Sequence, residues 1–377
     1  MWQSRTHSSN SGSSWGAGVT LGFGQQNGIS FQLGGNTSQG RANGQETAHD
    51  NTLVTACQTL TLKSGGDTTL AGAQLGGQTV QADVGGNLII QTLQDSSDYH
   101  SQQQSSGFGV SICPPPICVG ASSASVSASG QHIDHHYQSA TGQSGIQAGS
   151  GGFDIHVTGD TALIGGAITS SAPQGQNSLS TRSLSYQDLD NRQDTSASSW
   201  SISVGNQASA LAQAASNLAA NAAGQAGLPA NSHQSSQTLA VISPANITIT
   251  GKDEVSQSAA RTLTGRDATT ANQALKNTLS LQDAANLQAQ QQTAQQNQQA
   301  AQLVGSVVFN IAGDVAAKNG WGEGSPQKLA LHALAGYIQA KAGGQNGGAG
   351  MAAALANEAT TQGINGVLVL AVIRHMP

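Results

Sequence analysis

Short runs in which apolar and polar side chains alternate fill most of the first two thirds of the chain. Leu60 and Leu62, then Val80, Ala82 and Val84, then Leu88 and Ile90 stand apart by single residues such as Thr61, Lys63, Gln81 and Asp83. A period of two puts such residues on one face of an extended strand, so each run predicts a half-buried strand. Glycine pairs at 65–66, 76–77, 85–86 and 151–152 fall between the runs, where turns need positive φ or close backbone approach.

The runs recur. Gly66-Asp67-Thr68-Thr69-Leu70-Ala71-Gly72 returns 93 residues later as Gly159-Asp160-Thr161-Ala162-Leu163-Ile164-Gly165, and Leu53, Leu60 and Leu62 find Ile146, Phe153 and Ile155 at the same offset. Ser13-Ser14-Trp15, Ser105-Ser106-Gly107 and Ser198-Ser199-Trp200 each open a stretch of alternating small and apolar residues, and Ile247-Thr248-Ile249-Thr250-Gly251 is a worn third copy of the Gly-Asp strand region. A fixed period marks an array whose units bury their apolar faces against one another. Strands and glycine corners about ten residues apart suit a wound sheet; a β-sandwich would alternate similarly without explaining the period.

These patterns predict a mainly β fold: a right-handed parallel β-solenoid over residues 1–255, with units near 13–104, 105–197 and 198–255, followed by a small-residue-rich α-helical module over 256–377. The Ser/Gln/His-rich stretches 95–106 and 122–143 are expected to leave the coil as loops or hairpin arms. Leu211 and Leu218, a heptad apart among alanines, predict a helical insertion near 206–227. Leu275, Leu279, Leu287, Leu303, Val307 and Ile311 predict one or two long helices over 267–317. Ser325-Pro326 opens another, carrying Leu329, Leu334, Tyr337 and Ile338 and stopped by Gly343-Gly344. A helix at 351–359 and an apolar tail at 367–373 complete the chain.

Composition narrows the function classes. Only 8% of the residues are charged and 3% aromatic, so the core is built from small side chains in close layers. A net charge of −6 with 13 Lys and Arg leaves no basic stripe for a phosphate backbone, and nucleic-acid binding is excluded on that ground. No apolar run approaches the roughly 18 to 20 residues that span a bilayer. Trp2-Gln3-Ser4-Arg5 does not read as an export signal, and residue 1 falls inside a repeat, so the chain is expected to be part of a longer one.

Cys113 and Cys118 flank Pro114-Pro115-Pro116-Ile117. Three readings stay open: a disulfide, half of a zinc site completed by His132, His135 and His136, or two free thiols. Cys57 is expected to be a small buried hydrophobe. His132-Ile133-Asp134-His135-His136 reads as a solvated loop, leaving no metal ligand set. Asp67 and Asp160 recur at one repeat position; a residue present in every unit serves its turn, where Asp bonds its own backbone, rather than acting in a carboxylate pair. Residues 16–22 are glycine-rich without a following helix, and no nucleophile elbow, P-loop or zinc-protease motif is present. No catalytic residue, no cofactor site and no enzyme activity are expected.

Leu60-Thr61-Leu62-Lys63-Ser64-Gly65-Gly66-Asp67, Val84-Gly85-Gly86-Asn87-Leu88-Ile89-Ile90, Ser144-Gly145-Ile146-Gln147-Ala148-Gly149 and the Gly159 to Ala167 copy together resemble the haemagglutinin repeat of filamentous haemagglutinins and contact-dependent growth inhibition effectors. The resemblance covers roughly residues 1–255. Trp321-Gly322-Glu323-Gly324-Ser325-Pro326, His332 to Gly336 and Gly347 to Gly350 look like the helical region ahead of the toxin in those effectors. It implies a very large adhesin-like or toxin-bearing exoprotein, secreted or held at the cell surface through an outer-membrane two-partner transporter, acting as a rigid stalk that delivers its C-terminal end to a target-cell surface or outer membrane, with the receptor left unspecified. Two departures qualify it: the family's signal and secretion domain is not seen, and Met376-Pro377 is reached without the Val-Glu-Asn-Asn boundary motif or a toxin domain. A polysaccharide-acting solenoid enzyme and a nonfunctional fragment of a broken exoprotein gene are the alternative readings.

Overall fold

A computed structural model describes residues 1–22, 27–119, 122–206 and 228–287, and shorter stretches of 289–355. The fold is mainly β, in two kinds of sheet. Residues 52–91, 145–187 and 241–249 form five stacked rungs whose strands pair in parallel from one rung to the next. Residues 2–22 with 27–48, 95–119 with 123–139, and 189–205 with 232–238 form three long arms, and the arms pair side by side in one seven-stranded antiparallel sheet. The parallel expectation for residues 1–255 therefore holds for the rungs and is corrected for the arms.

Alternation explains the rungs. In Ala73–Val84 the buried positions Val80, Ala82 and Val84 point inward while Gln81 and Asp83 face solvent. Identical parity in successive rungs stacks Leu62, Ala82, Ile155, Leu179 and Ile247 in one ladder and Leu70, Ile90 and Leu163 in another. Leu88, Ile90, Phe153, Ile155, Leu163 and Ile168 are among the fully buried side chains. Each such side chain contributes about 1.5–3 kcal/mol through burial. The glycine corners allow rungs to approach: a Cβ on Gly85 would lie 2.7 Å from the Gly65 carbonyl oxygen.

The period of 93 residues is not one rung. Leu70 and Ile90 are neighbours in the ladder, as are Ile90 and Leu163, so one period contains two rungs and one arm. Spacing accounts for the ratio. Paired strands lie about 4.8 Å apart, so two rungs advance about 9.6 Å, the same distance that the two strands of a hairpin occupy. One hairpin per two rungs lets successive arms meet edge to edge and satisfies the backbone groups that each arm would otherwise expose.

Some expectations hold and others are corrected. Ser13-Ser14-Trp15 and its two copies lie within arm strands, with Ser14 opposite Asn36 and Ser199 opposite Gln131. Residues 95–106 and most of 122–143 leave the stack as a hairpin arm, one of the two expected forms; they are strand in Asp95–Ile112 and Ser123–Ser139, because their polar side chains alternate and their backbones pair along nearly their full length. Cys57 is exposed, at the corner between Thr52–Thr55 and Thr59–Ser64. Residues 267–280 are not helical, although Leu275 and Leu279 have helical spacing. Their backbone bonds to the arms instead: Leu275 N–H donates to the Ser139 hydroxyl at 2.8 Å, and the Tyr137 hydroxyl donates to the Leu275 carbonyl at 3.0 Å. The insertion near 206–227 falls almost wholly outside the described residues.

Helix α1 (Glu254–Thr264) closes the described stack, burying Ser256, Ala259 and Leu263. Asp253 caps it by accepting from Ser256 N–H at 2.7 Å. Thr161 N–H donates to a carbonyl of the next rung, that of Ser183; at the equivalent place Leu184 N–H donates to the Ser256 hydroxyl at 2.9 Å. The cap thus supplies the acceptor that a further rung would supply. Helix α2 (Pro326–Ala342) begins at the Ser325-Pro326 signal. Among the described residues no helix is long and apolar enough to cross a membrane.

Candidate functional site

Strand alternation divides the arm sheet into two faces. On one face Ala42, Tyr99, Ile133 and Tyr137 are buried, and Leu279, Leu281 and Ala284 pack over the first three. The opposite face is open, and antiparallel register builds polar rows across it. One row runs Arg5, Gln45, Asp98, His136, Asp194, His233; the next runs His7, Asn43, His100, Asp134, Ser196. An open groove of about 760 Å³ follows these rows.

Acids and imidazoles alternate strand by strand. His136 Nδ1 lies 2.5 Å from Asp98 Oδ1, and His100 Nδ1 lies 2.5 Å from Asp134 Oδ1. His132 Nε2 meets the other Asp134 oxygen, while His233 and Arg192 both hold Asp194. Partial burial pushes the Asp134 carboxyl up, but hydrogen bonds and charge from His100 and His132 outweigh it and hold the group below the ordinary carboxylate range. The bond from His233, with help from Arg192, likewise lowers Asp194.

His132-Ile133-Asp134-His135-His136 is therefore strand, not loop. Parity sends His132, Asp134 and His136 to the open face and His135 to the covered one. His135 is buried between Thr195 Oγ1 at 2.9 Å and Asn277 Oδ1 at 3.0 Å, and burial lowers its pKa, so it stays neutral. Cys113 and Cys118 are joined in a disulfide at the far end of the same arm, with Cα atoms 5.0 Å apart. The structure does not bring Cys113, Cys118 and the three histidines into one ligand set. It does bring ligand atoms of His100, His132 and Asp134 within 4.8 Å of one another.

His100 and Asp98 were not singled out by sequence, though a signal existed. Asp98-Tyr99-His100 and Asp134-His135-His136 are the same Asp-x-His pattern, and an antiparallel pairing in the register that sets Tyr99 opposite His135 puts each acid opposite the other's histidine. Asp67 and Asp160 have a different role from the expected local turn. Asp67 accepts from Asn87 N–H of the next rung at 2.7 Å, and Asp160 accepts from Arg182 and from Ser183 Oγ at 2.6 Å. Arg182, then Ser183, hold the Asp160 pKa down at about 2. Both carboxylates tie rung to rung.

Towards the arm tips the open face changes character. Trp15, Phe31, Leu33, Phe108, Trp200 and Val204 are exposed there, and Trp15 at 82% has almost no cover. Apolar side chains gathered on one face mark a contact surface. The covered parity in the same strands is mostly Ser and Gly: Ser105, Gly107 and Gly109, then Ser125, Ser127 and Ser129.

A family described as "Hemagglutinin repeat" matches residues 2–106. Toxin CdiA of Escherichia coli is 39% identical over 258 residues, which cover 67% of this chain and 8% of that protein. The chain belongs to the haemagglutinin and contact-dependent growth inhibition family. The haemagglutinin-repeat match takes in the first arm, the first two rungs and part of the next arm strand, so it coincides with about one structural period. Other relatives are the tRNA nuclease CdiA of Yersinia mollaretii, 39% identical over 52% of this chain and 6% of that protein, and the deoxyribonuclease CdiA of Yersinia pseudotuberculosis, 37% identical over 50% of this chain and 17% of that protein. The chain spans a small part of each relative's length. No solved structure matches.

Proposed function

We propose that this chain is a structural stalk and delivery segment of a secreted, surface-exposed exoprotein of the haemagglutinin and growth-inhibition class, and that its rungs wind as a right-handed parallel β-solenoid. On this reading residues 1–255 are the repeat stalk and 256–377 a helical region ahead of a toxin. An outer-membrane two-partner transporter exports it, and a target-cell surface receives it. The segment has no catalytic activity of its own.

The observation that carries the reading is the sharing of this segment by relatives named for different activities. A tRNA nuclease and a deoxyribonuclease are each similar to it over half or more of the chain. A chain resembled over half its length by relatives of each kind fits a shared frame better than a seat of either chemistry. The two-rung period supports this, since it makes a body of fixed width with one wide sheet. The exposed apolar tip face supports contact with another surface. Asp67 and Asp160 are occupied between rungs, which gives the polysaccharide-cleaving alternative no carboxylate pair at the repeat position.

Protease accessibility on intact producing cells tests the reading. Cleavage of this segment from outside, lost when the gene for its two-partner transporter is deleted, is the expected result. Accumulation inside the cell with the transporter present would sink it.

A further inference from the structure

We propose that His100, His132 and Asp134 form a surface site for a divalent transition metal ion, Zn²⁺ being the natural occupant, which clamps the two strands of the central arm. The geometry follows from strand periodicity. Residues two apart on a strand share a face, so His132 and Asp134 project from Ser123–Ser139 together, and register sets His100 of Asp95–Ile112 directly opposite Asp134. Three side chains from two strands thereby converge.

The donor set is the one zinc takes: two imidazole nitrogens and a carboxylate oxygen. His100 Nδ1 and His132 Nε2 both point at the Asp134 carboxylate, and the two rings stand edge-on at 75° with centroids 5.1 Å apart. His100 Nδ1 meets one Asp134 oxygen and His132 Nε2 the other, so both imidazoles turn a nitrogen to the same carboxylate instead of stacking. Zinc bonds of about 2.0–2.1 Å place tetrahedral ligand atoms roughly 3.3 Å apart. All three ligand atoms lie within 4.8 Å of one another, and His100 Nδ1 lies 2.5 Å from Asp134 Oδ1, so an ion between them asks that pair to open by about 0.8 Å. Each ring needs only to carry its proton on the nitrogen facing away from Asp134. The groove beside His100 and Asp134 leaves a fourth position open to water or to a further ligand.

Neighbouring pairs on the same face lack this character. Asp98 and His136 supply two groups, and Asp194 with His233 carries the Arg192 guanidinium, whose charge opposes a cation. The site is thus distinguished by composition as well as position.

Isothermal titration of the full chain with Zn²⁺ tests this, with Co²⁺ absorption as a second readout and circular dichroism to verify folding. The expected result is one equivalent bound, weakened roughly tenfold or more by His100→Gln and by His132→Gln and unchanged by His136→Gln. No uptake by the native chain overturns the proposal. Uptake of equal affinity in a folded chain carrying both His100→Gln and His132→Gln overturns it too.

Discussion

The rungs and the arms use the same strand spacing and the same side-chain alternation, yet they hold together differently. In the rungs inward apolar positions stack on apolar neighbours of adjacent rungs, and residues such as Leu88, Ile90 and Leu163 are fully buried. In the arms one face lies open, and cohesion comes from backbone pairing, cross-strand His–Asp contacts and the cover provided by Leu279 and Leu281. Alternation alone therefore does not make a core. A core forms where the winding brings several copies of the same parity together.

The largest expected effect separates the two regions most sharply. Leu163→Ala should cost about 2–5 kcal/mol in chemical denaturation, whereas Val126→Ala on the exposed arm face should stay within about 0.5 kcal/mol. Similar losses at both positions would break the comparison. Glycines give a second contrast. A Cβ at Gly145 would lie 2.1 Å from the Ala167 carbonyl oxygen of the adjacent rung, so Gly145→Ala should destabilise by about 1–3 kcal/mol. At Gly16 nothing lies within 4 Å, and Gly16→Ala should be neutral or stabilising by up to about 1 kcal/mol in thermal melts.

The disulfide sharpens the comparison locally. Cys113→Ser should lower the stability of the arm tip by about 2 kcal/mol, seen as faster amide exchange near Phe108 and Val126 with the rung amides unaffected. In the native chain, Cys57 alone of the three cysteines should react with a thiol reagent before reduction. Spread of the exchange effect into the rungs would show that the two regions unfold as one unit.

The smallest effect concerns pH. Burial lowers the His135 pKa, so the unfolded chain binds more protons than the folded one between that value and the ordinary value of about 6.5. Stability from this group is fully present above about pH 6.5 and falls as the solution is acidified through the window, by at most about 1.4 kcal/mol per pH unit. His135→Gln should flatten that slope in denaturation curves taken across the window. An unchanged slope would place the titration elsewhere.

Much of the strand structure is legible in the residues. The parity of Val80, Ala82 and Val84 and the glycine pairs locate strands and corners, because both act within a few positions. The meaning of the 93-residue period is not legible, since nothing local says whether a repeat closes one turn of the coil or two. Leu275 and Leu279 illustrate another limit. Their spacing suits a helix, and the competing bonds to Ser139 and Tyr137 come from more than a hundred positions away. The arm histidines were readable as residues and not as a site, because His100 meets Asp134 through register alone.

By itself, then, the sequence determined where strands lie, which side chains share a face, and that a two-part repeat recurs. Tertiary structure decided which strands meet. It joined two rungs to each hairpin, turned Asp67 and Asp160 outward from their own turns to the next rung, and set one Asp-x-His against another. The physical reason is that side-chain periodicity is local to a strand, whereas register depends on the surfaces that distant strands bury together.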